Sequence, residues 1–279
     1  MLLESSNGAP ILLPAQIGPL LVEPAFRASV AAQASTRVVL SARSLRVPIV
    51  TMDPQASWVA EGQEITPSDP LLAELDIFPS KLAGLTIISA ELAADSSPAA
   101  AQVVGDGLAR DIARKIDAAF FNNLTSPAPA GLGSLTNVST VSVGANWVSL
   151  DPFVDALAAA EVVFATIDSW CASPIDVVQL SKIKTLAGGT LPLLDSDPAL
   201  PGGRVIFGRP LYTSPAIAPG TIWGIPKART LLVVRDDASI DTDGSVFFTS
   251  DRVAVRARMR VGFGFPHQAA VVKLTRTTS

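Results

Sequence analysis

Charge is scarce in this chain. Asp, Glu, Lys and Arg make up 16% of its 279 residues, against roughly 25% in an ordinary soluble domain, and the mean hydropathy is +0.40. A protein of this size has trouble covering itself with so few charges. An alanine-rich bias would produce the same figures, but the preferred reading is that other copies of the chain cover much of the surface. A net charge of −4 and a pI near 5.0 exclude a uniformly basic, free nucleic-acid binder, although local basic patches stay open. The single cysteine, Cys171, excludes an intrachain disulfide and any cysteine-cluster metal site; it is expected to be a small buried hydrophobe. Long apolar runs are missing too. The stretch from Ile11 to Phe26 is broken by Pro14, Pro19 and Pro24 and carries Glu23, so it cannot be a spanning helix. The start, Met1-Leu2-Leu3-Glu4, lacks the positive charge of a secretory signal. A soluble chain with no membrane partner is expected.

What the sequence does contain is a long helix, which the pattern places over residues 98–123. Ser97 followed by Pro98 is a start signal, because the hydroxyl can accept a free N–H of the first turn and proline tolerates the first helical position. Val104, Leu108, Ile112, Ile116 and Phe120 then recur every four residues, a stripe that wants a partner. At about 1.5 Å per residue the rod would be roughly 40 Å long, enough to support several other elements.

Ahead of it, residues 1 to about 20 read as an extended arm, rich in Pro, Gly and Ser. Pro24 to Ala34 suits a short helix, and Val38 to Leu40 and Val47 to Met52 suit strands. Between Met52 and Lys81 turn signals at Asp53-Pro54, Glu61-Gly62, Thr66-Pro67 and Asp69-Pro70 flank strand-like Ser57–Ala60 and Leu71–Phe78. That predicts a two-stranded excursion with a polar tip. An isolated hairpin is marginal in water, so its natural support is a neighbouring subunit. Leu85 to Ser89 reads as a strand leading to the long helix.

After a linker at 126–131 come a second helix from Asp151 to Phe164 with Phe153, Val154, Leu157 and Glu161 at helical spacing, a buried strand from Ile175 to Leu180, a short helix closed by Gly188-Gly189, and strands near Val205–Phe207 and Leu231–Val234. The clearest strand lies near the end. Val253, Val255, Ala257, Met259, Val261 and Phe263 alternate with Arg252, Arg256, Arg258 and Arg260, a period of two with one apolar side and one row of guanidiniums. Ala269 to Thr275 supplies a last strand.

Catalytic chemistry finds little support, and no cofactor is expected. His267 follows Pro266 at a predicted turn, with no serine in a Gly-x-Ser-x-Gly setting. The pairs Asp195/Asp197 and Asp241/Asp243 lie among Ser, Pro and Gly, where Asp makes turns. Gly105-Asp106-Gly107 falls inside the long helix without a third glycine, and no phosphate-binding loop pattern occurs. The arginine row has two readings. In one the arginines pair with acids such as Asp106, Asp111 and Asp117 of the helix or with a neighbouring copy; in the other, Arg256 and Arg258 face packaged nucleic acid in a lumen.

The block Ala56-Ser57-Trp58-Val59-Ala60-Glu61-Gly62, with Pro67-Ser68-Asp69, Pro79-Ser80-Lys81-Leu82-Ala83-Gly84-Leu85 and Ser89-Ala90-Glu91-Leu92 downstream, resembles the tailed-bacteriophage major capsid proteins of the Hong Kong 97-like fold. Ile206-Phe207-Gly208-Arg209-Pro210-Leu211 also looks like a turn of that family. The resemblance implies an α+β fold. It has an N-terminal arm (1–37), an extended β-hairpin loop with its base (38–85), a peripheral β-sheet domain with the spine helix (86–128 with 237–279) and an axial α/β domain (129–236).

The function so implied is structural: self-assembly as pentamers and hexamers into an icosahedral shell around phage double-stranded DNA, in the virion, with assembly in the host cytoplasm. Trp58, Glu61, Glu64, Arg252, Arg256, Arg258 and Arg260 become the expected intersubunit contacts, and scaffolding, portal and cement proteins the further partners. Some members of the family join a loop lysine to a peripheral asparagine. Here the first lysine is Lys81 and the tail strand has no asparagine, so a shell without covalent cross-links is expected. The scaffolding segment that often precedes the arm in the family is not found ahead of it. An encapsulin-type compartment and a soluble enzyme are the alternatives.

Overall fold

A computed structural model describes residues 23–52, 54–89, 99–184, 193–194, 204–243, 245, 247 and 250–277. In chain order it contains helices α1 (Glu23–Ala28) and α2 (Val30–Ala34), strands β1 (Thr36–Leu40), β2 (Leu45–Met52), β3 (Leu71–Ile77) and β4 (Ser80–Ser89), and the long helix α3 (Ala99–Phe121). There follow β5 (Ser139–Val143), α4 (Asp151–Val162), β6 (Ser169–Ala172), α5 (Pro174–Ser181), β7 (Val205–Ile206), β8 (Arg209–Thr213), β9 (Thr221–Ile225), β10 (Leu231–Asp243), β11 (Arg252–Gly264) and β12 (Val272–Arg276). Residues 1–22, the start signal at 97–98, the Ser89–Leu92 block beyond Ser89, Gly188-Gly189 and Asp195/Asp197 lie outside the described residues.

Helix α3 is the support that its apolar stripe predicts. Ala109, Ile112, Ile116 and Phe120 are buried in one cluster with Ala257, Met259, Val261, Phe263 and Phe265. The Phe120 ring meets Phe263 edge-on at 5.2 Å, a favoured aromatic geometry. The sheet beneath has four strands in the order β1-β10-β11-β4, with β1 and β10 parallel and the other two pairs antiparallel. Because side chains alternate across a strand, the β11 residues that meet α3 leave their neighbours on the far side of the sheet.

A six-stranded sheet, β5-β12-β9-β6-β8-β7, carries α4 and α5 and a second core that includes Phe153, Trp170, Leu180, Ile222 and Leu274. Here the sequence reading needs two corrections. Residues 175–180 are helix, not strand. Ser173 caps it by accepting a hydrogen bond from Asp176 N at 3.2 Å, and Pro174 opens it; the buried strand is the preceding Ser169–Ala172, with all four residues buried. In α4 the buried face is Phe153, Ala156 and Ala160, and Val154 is exposed. Strand β12 pairs with both β5 and β9, so the chain passes from the four-stranded sheet to the six-stranded one through Phe265–Val271.

Two further departures bear on function. Pro24–Ala34 forms two helices, broken at Ser29, whose extended backbone and side chain cap α2. The hairpin pairs β2 with β3, from Leu45↔Ile77 to Met52↔Leu71, and Ser57–Ala60 is not a strand. Prolines at 54, 67 and 70 remove backbone donors, which ends the ladder. Beyond it the Ser68 hydroxyl ties the two limbs, accepting from Gln55 N at 2.8 Å and donating to Gln55 O at 3.1 Å.

Candidate assembly surfaces

The reactive side chains are occupied structurally. Cys171 is fully buried, and burial, with the nearby Asp117 charge adding to it, pushes its thiol pKa up. His267 Nδ1 meets an Arg229 guanidinium N–H, while Arg229 Nη2 donates to Phe164 O at 3.2 Å. Partial burial, and then the Arg229 charge, lower the His267 pKa. Asp243 accepts from the Ser245 backbone and hydroxyl at 2.8 and 2.5 Å. Those two hydrogen bonds hold its pKa below the usual range, as in an Asx turn. Among the described residues no cluster of His, Cys, Asp and Glu is arranged to hold a metal ion.

Among the described residues the loop is the largest unsupported feature. Residues 54–72 are all exposed, and Trp58 stands in solvent at 105% relative exposure. Ile65, Leu71, Leu72 and Val50 of the same loop and its stem are exposed too, more apolar surface than a monomer ordinarily leaves open. Glu61 and Glu64 lie at the same tip. From Val47 to Ser80 the sequence has no lysine or arginine, while it carries Asp53, Glu61, Glu64, Asp69, Glu74 and Asp76. Among the described residues of that set, Glu74 and Asp76 alone have a cation nearby, Arg46, at 3.1 and 3.0 Å.

At its root the loop is held closely. Ile77 is buried and lies over β11 where Gly262 and Gly264 leave room; a Cβ on Gly264 would come within 2.1 Å of Ile77 Cδ1.

The arginine row is assembled as the alternation predicts. Arg252, Arg256 and Arg258 are exposed and Arg260 is half-buried, on the sheet face opposite α3. Lys81 and Arg235 both pair in register with Arg260, Leu85 pairs with Arg256, and Ser239 pairs with Arg258. Arg258 Nε donates to Ser239 Oγ at 2.5 Å, and Arg256 contributes to the low pKa of Asp243. Pairing of this row with Asp111 and Asp117 does not occur. Asp111 pairs with Arg114 of its own helix at 3.4 Å, and Asp117 is buried beneath α1 and α2. The physical reason is the period of two: the strand can bury Met259 against the helix only by turning Arg258 and Arg260 away from it. The side chain of Asp106 lies outside the described residues.

Two buried carboxylates escaped the sequence reading. Asp117 accepts from Ser29 Oγ at 2.6 Å, Val30 N at 3.2 Å, Ala31 N at 3.0 Å and Ser214 Oγ at 3.2 Å. It thereby ties the N-terminal helices and the 213–216 turn to α3. Asp176 accepts from Trp147 Nε1 at 2.8 Å, Ser173 Oγ at 2.7 Å and Gly220 N at 2.8 Å, with Arg276 Nε at 3.6 Å. The signals were present: Asp117 interrupts the margin of the α3 apolar stripe, and Ser173-x-x-Asp176 has capping-box spacing.

Comparisons with known proteins agree with this geometry. No curated protein sequence matches the chain. Among solved structures, one titled for the capsid of an empty GTA particle superposes with a TM-score of 0.73 at 19% identity, covering 90% of each chain. One titled Microbacterium phage Oxtober96 gives 0.70 at 17% identity, covering 89% of this chain and 91% of its own. The capsid of a native GTA particle gives 0.68 at 20% identity over 100% of this chain and 96% of its own. The Phage capsid family matches residues 10–276. A rooted but unsupported hairpin and a helix-backed sheet with a basic outer face fit that match: the chain belongs to the phage capsid family, as a structural major capsid protein of the virion and not an enzyme.

Proposed function

We propose that copies of this chain close into an icosahedral shell of pentamers and hexamers around double-stranded DNA, assembling in the host cytoplasm. The loop tip carrying Trp58, Glu61 and Glu64 would lie over the β4-β11-β10 face of the next copy. In this reading the arm (1–37), the loop and its base (38–85), the peripheral part (86–128 with 237–279) and the axial part (129–236) divide the work, and β12 completes the axial sheet. Scaffolding, portal and cement proteins would be auxiliary partners.

One observation carries the docking. A loop with no cation between Val47 and Ser80 and a sheet face bearing Lys81, Arg235, Arg256, Arg258 and Arg260 are complementary in charge, and each leaves apolar groups in solvent, Trp58 on one and Leu85 and Ile87 on the other. The same complementarity favours intersubunit contact over a DNA-facing role for Arg256 and Arg258.

Charge exchange tests this. Glu61→Lys with Glu64→Lys, or Arg256→Glu with Arg258→Glu, should each abolish shells in negative-stain micrographs. The two pairs combined should restore them. Failure of the combination together with normal shells from either pair alone would refute the docking. The shell is also proposed to lack covalent cross-links, because the loop tip has no lysine. Boiling in detergent should therefore release single chains, and a ladder of multimers would contradict it.

A further inference from the structure

The side of the molecule away from the arginine face holds a second, smaller set of cations. On α3, Arg110, Arg114 and Lys115 are exposed and line one wall of a groove of about 510 Å³, whose other wall is the Thr213–Ala216 turn. Their spacing is helical: residues 110 and 114, and 111 and 115, stand one turn apart on the surface opposite the buried stripe. Arg114 spends part of its charge on Asp111. Arg110 and Lys115 have no acidic partner among the described residues. Asp117 lies at the groove floor, but its oxygens are turned to the four donors already named.

We infer that this groove is where the shell's inner wall touches the phosphate backbone of packaged DNA. The inference rests on the shell reading above. A helix laid on one sheet gives this part of the protomer two outer surfaces, and if the neighbour's loop covers the sheet, the α3 surface is left for the contents. Two guanidiniums and an ammonium along about one and a half turns of helix match the repeating charge of a phosphate chain, and half-buried Thr213 lies on the facing wall, while the buried Ser214 hydroxyl is committed to Asp117. Such contacts position a duplex without reading its sequence.

The test uses the full chain below its assembly concentration, with a short random-sequence DNA duplex as the probe and salt as the variable. Each neutralised phosphate contributes about −0.9 to the slope of log K against log salt, so three cations predict a wild-type slope near −2.7 from this groove. That is roughly a 40-fold loss of affinity between about 50 and 200 mM salt. The variant Arg110→Gln, Arg114→Gln, Lys115→Gln should lose about 2 to 3 of that slope yet still build shells. Arg110→Lys, Arg114→Lys, Lys115→Arg should keep the slope, and Arg256→Gln with Arg258→Gln should not change it. An unchanged slope in the glutamine variant would overturn the inference. So would a glutamine variant that stays folded by circular dichroism but builds no shells, since the cations would then be holding protein. Wild-type shells without the groove's salt dependence would sink the groove alone, and groove-dependent DNA binding by a wild-type protein that never forms shells would sink the shell.

Discussion

Truncating Trp58 to alanine should stop assembly while leaving the isolated protomer untouched. In the protomer the indole is fully in water, at 105% relative exposure, so it contributes no burial to folding and its removal should leave the melting temperature of unassembled protein unchanged. On a neighbour the same ring would cover about 150–250 Å², which at about 25 cal/mol per Å² is roughly 4–6 kcal/mol before ordering costs. Alanine substitution of a central interface aromatic typically costs about 2–4 kcal/mol, which raises a dissociation constant roughly 30- to 1,000-fold. In the proposed shell each subunit would give one loop and receive one, so the factor would enter once per subunit. The assay is the lowest protein concentration at which shells sediment, beside a thermal melt of unassembled protein. Phe120→Ala is the control with the opposite signature: Phe120 is fully buried, and its truncation should cost about 3–5 kcal/mol of folding stability. If Trp58→Ala assembles at the wild-type concentration, or lowers the melting temperature as Phe120→Ala does, the reasoning fails.

Asp117→Ala should destabilise the protomer by about 3 kcal/mol or more in urea unfolding, because it strands buried donors of Ser29, Ala31 and Ser214, whereas Asp117→Asn, which keeps one acceptor, should cost less. Gly264→Ala should cost about 1–3 kcal/mol by driving a methyl into Ile77, and adding Ile77→Ala should recover part of the loss, a coupling that a double-mutant cycle measures. The depressed His267 pKa means that the unfolded chain binds more protons than the folded one once pH falls below the unfolded histidine value of about 6.5. Stability from this residue is therefore present above that pH and declines as pH drops through the folded value, and a His267→Gln variant should flatten that slope in melts taken between about pH 5 and 7.

The long helix, the alternating arginine strand and the projecting hairpin were legible because each is written in one local period. Ile112, Ile116 and Phe120 repeat at helical spacing, and Ala257, Met259 and Val261 alternate, and both sets are buried where those periods put them. Residues 175–180 were misread because a short apolar run suits a buried strand as well as a helix, and only the Ser173-Pro174 start distinguishes them. Strand β9 (Thr221–Ile225) was missed since Gly224 weakens its pattern; the glycine is needed where a Cβ would come within 2.8 Å of Trp170. The partner of β3 was misassigned because pairing is not local: nothing in Leu71–Ile77 states that it runs beside Leu45–Met52 and not beside the nearer Ser57–Ala60. For the same reason the arginine row was legible as a row, while the face it shares with Lys81 and Arg235 emerged only from the register.

The contrast between root and tip explains how so exposed a loop could bind at all. A free hairpin would have to order its backbone on docking, at about 1–2 kcal/mol per residue, and a tip of this length would then consume more than Trp58 and its neighbours return. Here seven cross-strand pairs, from Leu45↔Ile77 to Met52↔Leu71, already order the stem. Ile77 seated over Gly262 and Gly264 fixes where β3 leaves the sheet, and Ser68 bound to Gln55 narrows the tip. Much of the ordering is therefore complete before a neighbour arrives, and the remaining interaction energy of Trp58, Glu61 and Glu64 can appear as affinity. Loosening the root should accordingly weaken assembly even though Ile77 is buried within its own protomer. Ile77→Ala should raise the assembly concentration by more than its effect on the protomer's melting temperature accounts for, and equal shifts in both would show that the root only stabilises the fold.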